Sequence, residues 1–332
     1  MNPFTYSRVA TLPECQRELG KTGSAAVIAG GTNLLDLMKE GIEKPSSVVD
    51  INPLPWHEIA ALENGGLRLG ALARNAETAA HPAVAERYPL LAAAILAGAS
   101  PQIRNMASNG GNLMQRTRCF YFYDTATPCN KRSPGSGCAA LKGFNRIHAV
   151  LGGSASCIAV HPSDMCVALA ALEAVVIVEG ARGSRAIPFA NFHLLPGDTP
   201  DIENTLAPDE MIVCIDLPPK GFANHYSYVK VRDRRSYAFA LVSVAAALEI
   251  EDGAISTARL ALGGVAHKPW RDERAERVLT GRAPARENFQ KAADVLMQDA
   301  RGRGFNDFKI ELARRAIVRA LEEASNKQAS ES

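Results

Sequence analysis

VIAGGTNLL, residues 27–35, is an apolar run that breaks into Gly30, Gly31, Thr32 and Asn33 before apolar spacing resumes at Leu34. It reads as a strand ending in a loop. Two glycines open backbone dihedrals closed to other residues, so successive N–H groups can converge on an anion, and Thr32 and Asn33 add side-chain donors. An ordinary glycine turn fits the same letters, because short glycine motifs recur by chance.

Outward from this loop the patterning is α/β. Thr11 and Glu14 have capping-box spacing ahead of a helix ending near Gly20, and residues 24–29, 33–39 and 47–52 read strand, helix, strand. Residues 67–72 read as another strand, and 76–97, rich in alanine and leucine, as two helices. A second glycine pair, Gly110 and Gly111, sits between Ser108, Asn109 and Asn112 in a stretch too polar for a core strand, and makes a second candidate cradle.

Residues 116–157 form a loop-rich block. Patterning returns at 157–180 as strand, turn, helix and strand, with Asp164 placed to cap the helix. Residues 211–219 read as a strand closed by two prolines, and a boundary is expected near Gly221. Beyond it, three strand-like runs followed by helical patterns at about 270–280, 286–300 and 307–325 predict an α+β domain. The expected division is 1–55 and 56–220 as two subdomains, 221–325 as the small domain and 326–332 as a disordered tail.

With 332 residues, 37 basic against 35 acidic side chains and a net charge of +2, no global field recruits nucleic acid or a membrane surface. No apolar run reaches the ~18 residues of a membrane span, and MNPFTYSRV lacks the pattern of an export signal, so the chain by itself is expected in the cytoplasm. Seven cysteines without such a signal favour metal or redox use over a disulfide framework.

Four of them, Cys119, Cys129, Cys138 and Cys157, lie in the irregular block at separations of nine, eight and eighteen. No CxxC pair occurs there. Arg116, Arg118, Lys131, Arg132, Lys142 and Arg146 against Asp124 leave about five positive charges, a field that lowers thiolate pKa values. Zinc, an iron–sulfur cluster and unrelated free thiols all remain open on spacing. His161, His193, His225 and His267 share no metal spacing and read as structural.

AGGTNLLDLMK, ASNGGNLMQRTRC, HPSD and YVKVRDRRSYAFALVSVAAAL, in that order, make the whole chain resemble the FAD-binding medium subunits of the xanthine dehydrogenase and aldehyde oxidase family of molybdenum hydroxylases. Through TRCFYFYDTATPCNKRSPGSGCAALKGFNRIHAV and LALGGVAHKPW it is most similar to their bacterial periplasmic aldehyde oxidoreductase branch. The resemblance implies an α+β fold: a two-subdomain FAD-binding domain followed by a small domain with a three-stranded antiparallel sheet and helices.

It also implies that both glycine loops grip one FAD through backbone donors on the pyrophosphate. By position, Val27, Ile28, Ala29, Gly30, Gly31, Thr32, Asn33 and Leu34 line the adenosine and pyrophosphate side, and Ala99, Ile103, Ser108, Gly111, Asn112 and Met114 continue the site. Ser163 and Asp164 match a Ser-Asp pair whose carboxylate accepts from ribose hydroxyls, Ile212 an aliphatic wall near the flavin ring, and Lys230 a lysine reaching the flavin from the small domain.

Relatives run almost directly from the SNGGN loop to the Ser-Asp turn, whereas Asn112 and Asp164 here are 52 positions apart (164 − 112). Members such as 4-hydroxybenzoyl-CoA reductase carry a [4Fe-4S] cluster in an insertion at this place, and the resemblance assigns one to Cys119, Cys129, Cys138 and Cys157. It implies an electron-transfer subunit of a heterotrimer. The partners are a molybdenum-cofactor large subunit and a [2Fe-2S] small subunit, with an external acceptor such as ferredoxin. It also implies periplasmic residence by co-export with a signal-bearing partner. A self-sufficient flavoprotein oxidoreductase and a zinc-stapled nucleotide module are the rival readings.

Overall fold

The computed structural model describes residues 1–327. The first sheet is wholly parallel, ordered β1–β3–β2, from β1 (Thr5–Arg8), β2 (Ala25–Ile28) and β3 (Ser47–Asp50). Its crossovers are helices Leu12–Gly20 and Leu34–Lys39. The first starts on the expected capping box: Glu14 N–H donates to Thr11 Oγ1 at 3.3 Å, and Thr11 N–H to Glu14 Oε2 at 3.2 Å. The central strand β3 is buried throughout, as a strand flanked on both edges and both faces must be.

The second sheet has five antiparallel strands in the order β4–β5–β8–β6–β7: β4 (Ile59–Ala61), β5 (Leu67–Gly70), β6 (Val175–Gly180), β7 (Gly183–Pro188) and β8 (Met211–Leu217). Three helices rather than two fill 75–97, namely Asn75–Ala80, Pro82–Arg87 and Pro89–Ala97. Pro82 and Pro89 set the breaks, since proline fits a first helical turn and clashes inside one. The 157–161 stretch forms no strand, because its backbone groups pair with the neighbouring block and the third domain: Ala149 N–H with Ile158 C=O and His161 N–H with Ala266 C=O.

The third sheet is antiparallel, ordered β12–β11–β10–β9, from β9 (His225–Val231), β10 (Val242–Glu251), β11 (Ala254–Gly263) and β12 (Trp270–Arg271). It has four strands where three were expected, and the two residues of β12 are too few to show a period. Helix Phe308–Asn326 covers β9 and β10. The helix runs through Asn326, and the rest of the expected tail past Lys327 lies outside the described residues.

Helix Asp164–Ala171 joins the second and third sheets, and all eight of its residues are buried. Val167, Ala168 and Ala171 share one core with Val176 and Ile215 of the second sheet and with Ala245, Ala247 and Ala261 of the third. Ser163 rather than Asp164 caps this helix, its Oγ accepting from Cys166 N–H at 3.0 Å. Asp164 is thereby free to face the cleft described next.

Candidate functional site

A cleft of about 1150 Å³ opens where the three sheets meet. At its edge, a Cβ on Gly30 would stand 1.9 Å from the Met106 carbonyl oxygen, so only glycine lets the two backbones approach. Gly31 has φ +71°, the left-handed region that favours glycine. Among the described residues, the N–H groups of Gly30, Gly31, Thr32 and Asn33 find no acceptor in the chain. Asn33 Oδ1 accepts from Arg116 N–H at 2.9 Å, while its buried Nδ2 has no partner. Four consecutive free donors and an unpartnered amide suit a pyrophosphate, and the cleft volume suits a dinucleotide.

The second glycine pair differs. Gly110 N–H bonds Ala71 C=O at 2.8 Å, Gly111 N–H bonds Ser108 Oγ at 3.2 Å, and Asn112 N–H bonds Ser108 C=O at 2.9 Å. Their donors are spent on the chain itself. The expectation that both glycine loops offer free backbone donors is corrected to one such loop and one supporting turn, because the Ser108 cap winds 109–113 into a short helix.

Every residue expected at the cleft lines it except Ile212. That side chain lies in the core of the second sheet, opposite Val178 on β6, so it walls no cleft. Asp164 reaches the cleft already engaged: Oδ2 accepts from Lys230 Nζ and Oδ1 from Tyr228 OH, both at 2.7 Å. Lys230 also donates to Ala97 C=O at 3.1 Å. This buried ion pair binds the small domain to the Ser-Asp turn, and the carboxylate keeps further acceptor sites at the cleft. At the mouth the sequence reading missed Arg118, Tyr123 and Phe239. The Arg118 guanidinium lies 5.2 Å from the Phe239 ring centre, and Tyr123 OH donates to Asp36 at 2.9 Å.

Behind this wall the four cysteines of the block meet around one small internal pocket. Cys129 and Cys138 face each other across an antiparallel bridge, Cys119 precedes helix Phe120–Tyr123, and all four are free thiols. No three of these sulfurs lie within 4.8 Å of one another among the described residues. A single tetrahedral zinc with bonds of ~2.3 Å would draw its sulfurs closer than that.

The expected positive field is largely cancelled by acids from outside the block. Arg116 pairs with Glu43 at 2.5 Å and Glu203 at 2.7 Å, Lys131 with Glu203 at 3.0 Å, Arg118 with Asp36 at 3.4 Å and Arg146 with Asp233 at 2.7 Å. Burial then decides the thiol chemistry. It pushes Cys119 up to about 12 and Cys157 up to about 11, the Lys131 charge opposing it at Cys157. Lowered thiol pKa values are thus not what Cys119 and Cys157 have, and a metal bound there would have to draw their protons off.

His161, His193 and His267, read from the sequence as structural, are buried. The rings of His161 and His193 stand 4.3 Å apart, and both Nε2 atoms donate to Leu113 C=O, at 3.4 and 2.9 Å. They brace the Ser108 turn from below. Burial pushes His193 down to about 4; burial and the Lys131 charge do the same to His267, whose Nε2 accepts from Lys131 at 2.6 Å. His148 places Nε2 3.0 Å from Cys119 Sγ and also lines the large cleft.

Residues 2–220 match the FAD-binding domain of molybdopterin dehydrogenases, and residues 227–324 the C-terminal domain of carbon monoxide dehydrogenase flavoproteins. The chain belongs to this family of FAD-binding medium subunits of molybdenum hydroxylases. It is 52% identical over 325 residues, 98% of this chain and 99% of the other, to the aldehyde oxidoreductase FAD-binding subunit PaoB of Escherichia coli (strain K12). It is 27% identical to the carbon monoxide dehydrogenase medium chain of Hydrogenophaga pseudoflava, over 97% of this chain and 96% of the relative. A solved structure of carbon monoxide dehydrogenase from that organism superposes with a TM-score of 0.77 at 26% identity, covering 99% of both chains. No helix among the described residues is long and apolar enough to cross a membrane.

Proposed function

We propose that this chain is the electron-transfer subunit of a molybdenum-dependent aldehyde oxidoreductase, binding FAD in the cleft and a [4Fe-4S] cluster on Cys119, Cys129, Cys138 and Cys157. The observation that carries this reading is the meeting of four free cysteines behind a dinucleotide-sized cleft, in a chain similar over its whole length to an aldehyde oxidoreductase FAD-binding subunit.

Bound FAD would supply a carrier that accepts electrons one at a time from a one-electron centre and can store two of them. The chain's own part is to hold it. Gly30, Gly31, Thr32 and Asn33 offer converging N–H donors to the pyrophosphate, and the Asp164–Lys230 pair fixes the small domain over the cleft. The cysteine block buries Cys119, Cys129 and Cys157 and half-buries Cys138, and Lys131 with Glu203 pins it to the main domain. No residue of this chain is assigned to substrate oxidation; that step belongs to a molybdenum-cofactor large subunit, with a [2Fe-2S] small subunit between, in a heterotrimer. An external acceptor such as ferredoxin and co-export to the periplasm complete the reading, both supported by resemblance alone.

The test is an absorption spectrum with iron and acid-labile sulfide assays on the purified complex. About one FAD, and about four irons with four sulfides beyond the [2Fe-2S] content, are expected per chain. Zinc in place of iron would sink the cluster assignment, and absence of flavin bands would sink the whole proposal.

A further inference from the structure

His148 has no part in the function just proposed, yet it touches both sites. Its Nε2 stands 3.0 Å from Cys119 Sγ, inside hydrogen-bonding reach for sulfur, and its ring is part of the cleft wall. The side chain is about 1% exposed, and its Nδ1 has no partner among the described residues.

The backbone around it is clamped from the third domain. His148 C=O accepts from Lys309 Nζ at 2.8 Å and from Asn306 Nδ2 at 3.3 Å; the same Nζ donates to Gly264 C=O at 2.5 Å and Ile147 C=O at 3.3 Å. His148 N–H donates to Asn145 C=O at 2.9 Å. The ring's place is therefore set by the fold, whatever Cys119 binds.

We propose that His148 is a positioning residue for the thiolate centre: its Nε2–H donates to the Cys119 sulfur, raises the reduction potential there, and fixes that ligand against the wall of the flavin cleft. The inference rests on the [4Fe-4S] reading of the four cysteines. A thiolate ligand can only accept, so Nε2 must carry the proton, which leaves Nδ1 as the unpartnered lone pair that the structure contains. Reduction adds negative charge to a centre and its sulfurs, and an N–H donor stabilises the more negative form. Such outer hydrogen bonds are a recognised control on cluster potential.

The experiment is an EPR-monitored redox titration of the intact complex carrying His148→Leu or His148→Gln, with iron, sulfide and FAD contents measured alongside. His148→Leu is expected to retain FAD and the cluster and to shift the reduced-to-oxidised ratio at fixed potential about tenfold toward oxidised, ~59 mV lower for one electron. His148→Gln, which keeps an N–H donor, is expected to stay near the wild-type potential. An unchanged potential in a fully loaded His148→Leu protein overturns this inference alone. Wild-type complex without the additional iron and sulfide overturns the cluster reading and this inference with it. If His148→Leu fails to take up iron, His148→Gln decides: a loaded cluster at wild-type potential supports the assignment, and one displaced about tenfold or more overturns it.

Discussion

The cleft and the cysteine centre share a wall and are built in opposite ways. The cleft is lined by residues gathered from around all three sheets, and its cradle by main-chain N–H groups, with glycine where Gly30 approaches the Met106 carbonyl. The centre is made of side chains from one stretch, 119–157, packed into a small core of its own. A site made of backbone is damaged by adding an atom, and a site made of sulfur by taking one away. The two should therefore fail separately.

Cys129→Ser is the stronger test of that separation. Removing one of four sulfurs is expected to abolish most of the additional iron while leaving FAD bound, as read by metal analysis and the flavin absorption bands. Loss of both cofactors together would show the two sites to be one cooperative unit. The reoxidation rate of the flavin in the same protein tells whether the centre relays electrons or only staples the block.

Gly30→Ala is the reciprocal change. Its Cβ would meet the Met106 carbonyl at 1.9 Å, so one loop must retreat from the other. Overpacking of this kind costs ~1–3 kcal/mol, and FAD affinity is expected to weaken about tenfold with the iron content unchanged. A flavin titration followed by fluorescence checks it.

Acid should loosen the packing around His193 and His267 by a smaller amount. His193 and His267 titrate near 4 in the folded chain, against an ordinary histidine value of 6.5. Between those values the unfolded chain binds more protons, so stability falls as pH falls from about 6.5 toward about 4. From pH 7 to pH 6 the loss is below ~1 kcal/mol per ring, visible as a modest drop in Tm. His193→Gln, which keeps a donor for Leu113 C=O, should flatten part of that slope.

What could be read from the letters was mostly local. The Thr11–Glu14 box, the glycine break after β2 and the strand closed at Leu217 need only neighbours along the chain. Most of the failures have a cause in distance, and one, the Ser108 cap, is local. The basic block looked charged because its partners Asp36, Glu43, Glu203 and Asp233 lie elsewhere in sequence. Ser108 took the Gly111 donor by an ordinary helix cap, which turned a candidate cradle into a support. Cys119 and Cys157 carry no spacing signal; only the family resemblance brought them together. His148 carried neither spacing nor motif, since its meaning lies in a contact 29 positions away.

Arg116 has a consequence for how this subunit is made. Its N–H holds Asn33 across 83 positions, and its guanidinium reaches Glu43 and Glu203, the second of which also holds Lys131 beside Cys129. The glycine loop after β2 thus acquires its final shape only after a much later segment has closed on it, one of the long-range steps that come late in folding. Biogenesis has an order written into it: a chain arrested before residue 116 has the glycines of the cradle but lacks the latch that sets Asn33.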